Sequence, residues 1–235
     1  MFGKLFQKRK KKADDSRIAE EAPRVVEETP QTAEKNYRIV VVKEDQAKLR
    51  KNAVKFLNDH GFDMEDFTEE LLNRSRRLLR NFKVENASSL DEKLIVALPP
   101  SGYEIYGAVH VSTMGSAVQA VFKNPGFSEQ EKIDYSEALL RRILLSKLAV
   151  DSAYGGQGIG RALVDKAIEF ARNGGYEVIC GQIDTEVGDN DKLTKFYKDC
   201  GFTVVSPNMN PVQMTGVKNI PVATQYEGNK FYLEL

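Results

Sequence analysis

The chain has 235 residues, 41% of them hydrophobic, and its 34 Lys and Arg balance 34 Asp and Glu. That size and apolar content can bury one sizeable core, and zero net charge gives no overall bias toward nucleic acid, so any basic site must be local. Cys180 and Cys200 make no disulfide framework and stand at no metal-like spacing from either histidine, so no metal is expected and both read as buried thiols of a reducing compartment.

In chain order, residues 1–12 (MFGKLFQKRKKK) carry six basic residues, no acidic ones, and Phe2, Leu5 and Phe6 between them. This pattern suits either a weak membrane-surface contact or a solvated tail. The next stretch is acidic and contains Pro23 and Pro30, so residues 1–36 are expected to be a disordered tail and residues 37–235 the folded domain. No apolar run approaches the 18 residues of a membrane span and the N-terminus lacks the apolar core of a signal peptide, so a cytoplasmic location is expected.

Residues 37–43, with Ile39 to Val42 in succession, read as the first strand. Amphipathic helices are expected over 45–60, with Leu49, Ala53 and Leu57 on one face, and over 64–82, with Phe67, Leu71, Leu78 and Phe82. Arg74, Arg76, Arg77 and Arg80 give the second helix a basic face, open to solvent or to an acidic substrate. Residues 93–98 and 103–112 read as an antiparallel pair joined by Pro99-Pro100-Ser101-Gly102. In the second of these, Tyr103, Ile105, Gly107, Val109 and Val111 fall on one face and Glu104, Tyr106, Ala108 and His110 on the other. The link 114–141 is long, with a turn at Asn124-Pro125-Gly126 and a helix-compatible run over 128–141, and reads as a lid, a specificity element or a plain loop.

The most informative stretch is 144–174. Residues 144–150 are strand-like, and 159–173 place Leu163, Val164, Ala167, Ile168 and Ala171 on one helical face. Between them, Tyr154-Gly155-Gly156-Gln157-Gly158-Ile159-Gly160-Arg161 removes side chains where the backbone must bend, and leaves amides free at the positive end of a helix dipole. That arrangement cradles an anion. A dinucleotide fingerprint would need glycine at Arg161, and a P-loop would need Gly-Lys-Ser/Thr where the chain has Gly160-Arg161-Ala162, so neither motif is present. Further on, 177–184 reads as a strand, 190–200 as a helix, and 203–206 and 229–235 as closing strands around a long loop with Pro207, Pro211 and Pro221.

The glycine loop resembles the coenzyme-A-binding motif of the GCN5-related N-acetyltransferases (GNAT), with Gly158 and Gly160 on its two glycines and Gly155 where the family has Arg or Gln. The letters from Asn190 to Phe202 resemble the second half of the family signature, and the resemblance covers about residues 37–235. It implies an α/β fold whose mixed, mostly antiparallel sheet is flanked by helices. It also implies transfer of acetyl from acetyl-CoA to a primary amine by direct attack in a ternary complex. The backbone of Leu148, Ala149 and Val150 would bind the pantetheine arm, and the amides of Gly155, Gly156, Gln157, Gly158, Ile159, Gly160 and Arg161 the pyrophosphate. Asn190 would contact the coenzyme and Tyr197 would protonate the leaving thiolate. The strand over 142–150 lacks the carboxylate that family members often place there. Glu104, His110, Asp184, Glu186 or a water chain stand as replacement bases. The acceptor stays open among small amines, aminoglycoside-like molecules, peptide N-termini and lysine side chains, and a homodimer is compatible with the sequence. A non-catalytic acyl-CoA-binding or scaffold protein is the alternative.

Overall fold

The computed structural model describes residues 36–64, 69–85, 90–113, 115–183, 190–207 and 228–235. Residues 1–35 of the expected tail, Phe67, Asp184, Glu186, Pro211 and Pro221 lie outside them. The strands are β1 (Arg38–Val41), β2 (Glu92–Leu98), β3 (Gly107–Ser112), β4 (Arg142–Val150), β5 (Val178–Gln182), β6 (Thr203–Val205) and β7 (Lys230–Glu234). They form one sheet in the order β1-β2-β3-β4-β5-β7-β6. Among the described residues only the β4–β5 pair is parallel. The helices are α1 (Ala47–Asp59), α2 (Glu69–Asn81), α3 (Gly115–Lys123), α4 (Glu129–Leu140), α5 (Ile159–Asn173) and α6 (Asn190–Asp199). The expected mixed, mostly antiparallel α/β sheet is what the chain forms. No helix among the described residues is long and apolar enough to cross a membrane.

Both faces of the central sheet are covered, and the sequence of β2 explains how. Ile95 and Ala97, with Val109 and Val111 of β3, pack under the apolar stripe of α5. Leu94, Val96 and Leu98, with Ala108, pack under Leu49, Ala53 and Leu57 of α1. A strand buried on two sides loses its alternation, which is why β2 reads as an unbroken LIVAL. Each fully buried aliphatic side chain in these layers contributes roughly 1.5–3 kcal/mol.

Two expectations change. The second strand of the hairpin begins at Gly107 rather than at residue 103, because residues 99–106 form a loop that Arg38 ties down through the carbonyls of Pro99 and Gly102 (3.1 and 3.0 Å). The long link holds two helices, of which sequence periodicity found α4. A capping box starts α4, with Ser128 Oγ accepting from the Glu131 amide and the Glu131 carboxylate accepting from the Ser128 amide. Helices α2, α3 and α4 share a separate core around Leu72, Leu79, Val118, Leu139 and Leu140. The link is therefore a packed subassembly.

Candidate functional site

The site begins with the parting of two strands. Pairing between β4 and β5 lasts for three residues, Arg142↔Val178, Ile143↔Ile179 and Leu144↔Cys180, although β4 continues to Val150. The cause lies on the other edge of β4. Its register with β3 jumps from Val111↔Leu145 to His110↔Lys147, leaving Ser146 as a bulge, and a bulge bends the strand that carries it. Beyond the bulge, Leu148, Ala149 and Val150 keep β3 on one edge, and no described strand pairs with the other. Backbone groups of alternate residues point to each edge, so this open edge presents amides and carbonyls to whatever enters the gap. Where the strands are still close, β5 needs glycine: a Cβ on Gly181 would stand 2.2 Å from Phe231 Cζ and 2.8 Å from the Leu145 carbonyl oxygen.

At the end of β4 the chain makes one turn of 3-10 helix, Ser152–Tyr154, capped by Asp151, whose carboxylate accepts from the Ala153 amide (2.8 Å). It then crosses the glycine loop into α5. Gly156 and Gly158 have φ of +77° and +76°, the left-handed region that side chains other than those of Asn and Asp rarely enter. Gly158 is the N-cap of α5 and supplies no side-chain cap, and the first turn holds no acidic residue. The first helical bond runs from the Ala162 amide to the Gly158 carbonyl (3.0 Å). The amides of residues 156–161 consequently have no acceptor among the described residues, and they gather at the positive end of a 15-residue helix. Gly155 differs, because its amide already donates to the Ser152 carbonyl (3.1 Å). The Arg161 guanidinium also turns away, donating to the Asp199 carbonyl at the end of α6 and pairing with Asp165 at 3.5 Å.

Helix α6 closes the site. A Cβ on Gly160 would lie 3.5 Å from Phe196 and 3.7 Å from Val150, so the tip of β4, the start of α5 and the middle of α6 meet at one point. Asn190, the first residue of α6, carries a buried Oδ1 with no hydrogen-bond partner among the described residues. Such an orphan acceptor is costly unless a donor arrives with a ligand. Tyr197 is 7% exposed, stacked on Phe231 at 3.8 Å and edge-on to Phe202. Burial, with the nearby Cys200 thiol, pushes its phenol well above the usual tyrosine range, so the group stays protonated at neutral pH.

Sequence reasoning missed an aromatic wall beside the loop. Tyr154 stacks on Tyr106 at 3.7 Å and donates to Glu104 (3.2 Å), and desolvation together with that carboxylate pushes its phenol up to about 12. Of the replacement bases, Glu104 is exposed beside this wall and His110 is buried in β3.

Residues 133–202, from α4 through α6 to Phe202, match the family model of the acetyltransferase (GNAT) family. Similar solved structures include an acetyltransferase of the GNAT family from Staphylococcus aureus Mu50, at 14% identity over 85% of this chain and 99% of that one, TM-score 0.46. A Bacillus subtilis acetyltransferase in complex with CoA aligns at 16% identity over 85% and 99%, TM-score 0.44. A nourseothricin acetyltransferase aligns at 20% identity over 61% of this chain, TM-score 0.38, and the chain spans 65% of that enzyme's length. No curated protein sequence matches the chain.

Proposed function

Residues 133–202 belong to the GNAT acetyltransferases and the chain has their α/β fold, and from that premise we propose that it is an N-acetyltransferase that moves acetyl from acetyl-CoA to a primary amine by direct attack in a ternary complex. The observation that carries this reading is the run of unpartnered amides at residues 156–161, set beside the open edge of Leu148, Ala149 and Val150. A pyrophosphate satisfies the first group electrostatically. The amide-bearing pantetheine arm satisfies the second as an added strand would, with the thioester carbonyl accepting from the same edge. The unpartnered Asn190 Oδ1 supplies an acceptor for a donor on the coenzyme.

Acetyl-CoA supplies an acetyl group on a good leaving thiolate. The chain's part is to orient that thioester along β4, exclude water beneath the Phe196, Tyr197 and Phe231 cluster, and hold a proton on the Tyr197 hydroxyl for the departing sulfur. Burial keeps that phenol protonated at neutral pH. The acceptor is an amine of the small-molecule or peptide kind, met on the side of β4 away from the coenzyme, and a cytoplasmic location fits that chemistry.

Thiol release from acetyl-CoA, measured against a panel of amines for the wild type and Tyr197→Phe, tests this. Amine-dependent release in the wild type that falls by about 100-fold in the variant supports both the reaction and the acid. A second reading, a coenzyme-binding protein without chemistry, draws on Gly155 standing at the family's Arg or Gln position with its amide already committed to Ser152. Coenzyme binding with no thiol release for any amine selects it.

A further inference from the structure

We propose that Ser146 and His110, with Glu92 as buried counter-ion, form a proton relay leading away from the bulge in β4, and that this relay takes the proton of the acceptor amine. The proposal rests on the acetyl-transfer reading above and gives it the base that β4 lacks.

Three polar side chains lie in sequence on the side of the sheet that α1 covers. Ser146, half-buried at the bulge where β4 leaves β5, has its Oγ 2.6 Å from His110 Nδ1 and 3.2 Å from the His110 carbonyl oxygen. His110 is 1% exposed, and its Nε2 stands 3.7 Å from the Glu92 carboxylate, itself 7% exposed. The other Glu92 oxygen pairs with Arg50 of α1, whose side chain is 41% exposed. Their neighbours on this face are Leu94, Val96 and Ala108, with the small Ser112 opposite Glu92, so the polar line is expensive to bury and packing alone gives it no purpose. Lys147 is opposite His110 in register and directs its ammonium to the Phe62 ring, 5.4 Å from its centroid.

The proton arithmetic fixes the tautomer. The Ser146 hydroxyl has one hydrogen and two acceptors in reach, Nδ1 and the His110 carbonyl. An Nε2 lone pair aimed at a carboxylate is repelled, so neutral His110 carries its proton on Nε2, facing Glu92, and accepts from Ser146 at Nδ1. When His110 gains a proton, Nδ1–H donates to Oγ and the hydroxyl turns to the carbonyl. Only the hydroxyl hydrogen moves. Burial would raise the Glu92 carboxyl, yet His110 and Arg50 hold it below its ordinary 4.5, so the counter-charge persists across neutral pH.

An incoming ammonium, directly or through one water, gives a proton to Ser146 Oγ while the hydroxyl proton passes to His110. The neutral amine's electron pair forms the C–N bond and the C–S bond breaks. Sulfur leaves as thiol with the Tyr197 proton, and the second N–H proton of the new amide restores Tyr197. The proton on His110 returns to water through Ser146 after release, which balances the reaction.

The test has two arms on the full chain. In 15N-histidine spectra, the two histidines should show opposite neutral tautomers. His110 should be Nε2–H, whereas His60, whose Nδ1 lies 2.8 Å from the Phe56 carbonyl and must donate to it, should be Nδ1–H. His60→Gln assigns the signals. This arm needs no acceptor amine, so it separates failure of the relay from failure of the acetyl-transfer reading, which would appear as wild-type coenzyme binding without thiol release. In the second arm, His110→Gln and Ser146→Ala should each lower kcat by about 100-fold or more while the KM for acetyl-CoA stays within about twofold. Glu92→Gln, which removes the counter-charge, should lower kcat in the same direction. An Nδ1–H tautomer at His110, or an unaltered kcat in His110→Gln, overturns the relay. So does a kcat loss matched by equal loss of coenzyme affinity, since that is a structural effect.

Discussion

On its β5 side, β4 works with backbone: the open edge of Leu148 to Val150 and the amides of residues 156–161. On its β3 side it works with side chains drawn from separate strands, Ser146 against His110 and His110 against Glu92. The difference teaches where each half of such a site is written. A backbone site is encoded in one contiguous stretch, because glycines and a helix start make it wherever they occur. A side-chain site is encoded in register, and register is a property of strands that have already found each other.

Substitutions can break this contrast, and the largest expected effect comes from Gly158→Asp. Asp is among the few residues that enter the left-handed backbone at φ +76°, so α5 should still form, at a modest cost in strain. Its carboxylate would occupy the cradle. Coenzyme affinity measured by calorimetry should fall by about 100-fold, about 2.7 kcal/mol, with only a small drop in Tm. Retained affinity would remove the cradle from the account.

Gly181→Ala comes next and acts through packing. Its Cβ would collide with Phe231 and with the Leu145 carbonyl, so urea unfolding should show a loss of about 1–3 kcal/mol. A neutral result would mean that the gap between β4 and β5 opens more freely than the geometry implies.

The Glu92 carboxylate gives a pH test. Its folded pKa is depressed, so its stabilising contribution is full above the ordinary 4.5 and is lost as pH falls through the lower folded value. The wild type should lose stability over that acid range, and Glu92→Gln should flatten the loss, seen as Tm against pH. The smallest effect belongs to Gly160→Ala, whose Cβ would rest in ordinary contact with Phe196 at 3.5 Å. Coenzyme affinity there should change by less than about threefold.

What could be read from the letters follows the same division. Helix α5 starts and stops where its periodicity and glycines put it, because both signals are local. The hairpin between β2 and β3 was visible as a turn, but the start of β3 at Gly107 depends on Arg38, far away in sequence, holding the loop. Helix α3 escaped notice because it opens on Gly115-Ser116 and gains its stability against α2 and α4. His110 stood out as a rare residue type. Its connection to Ser146 and Glu92 did not, since the bulge that brings Ser146 to it leaves no mark in the sequence. The loop misled in one detail, for Gly155 spends its amide on Ser152.

The most direct measurement is a titration of the 15N-labelled protein with coenzyme A, following backbone amides across the loop. The account predicts that the amides of residues 156–161 shift downfield as they gain a charged acceptor, while that of Gly155, already bonded to Ser152, moves little. Saturable binding that leaves residues 156–161 unmoved, or that shifts Gly155 most, would contradict it.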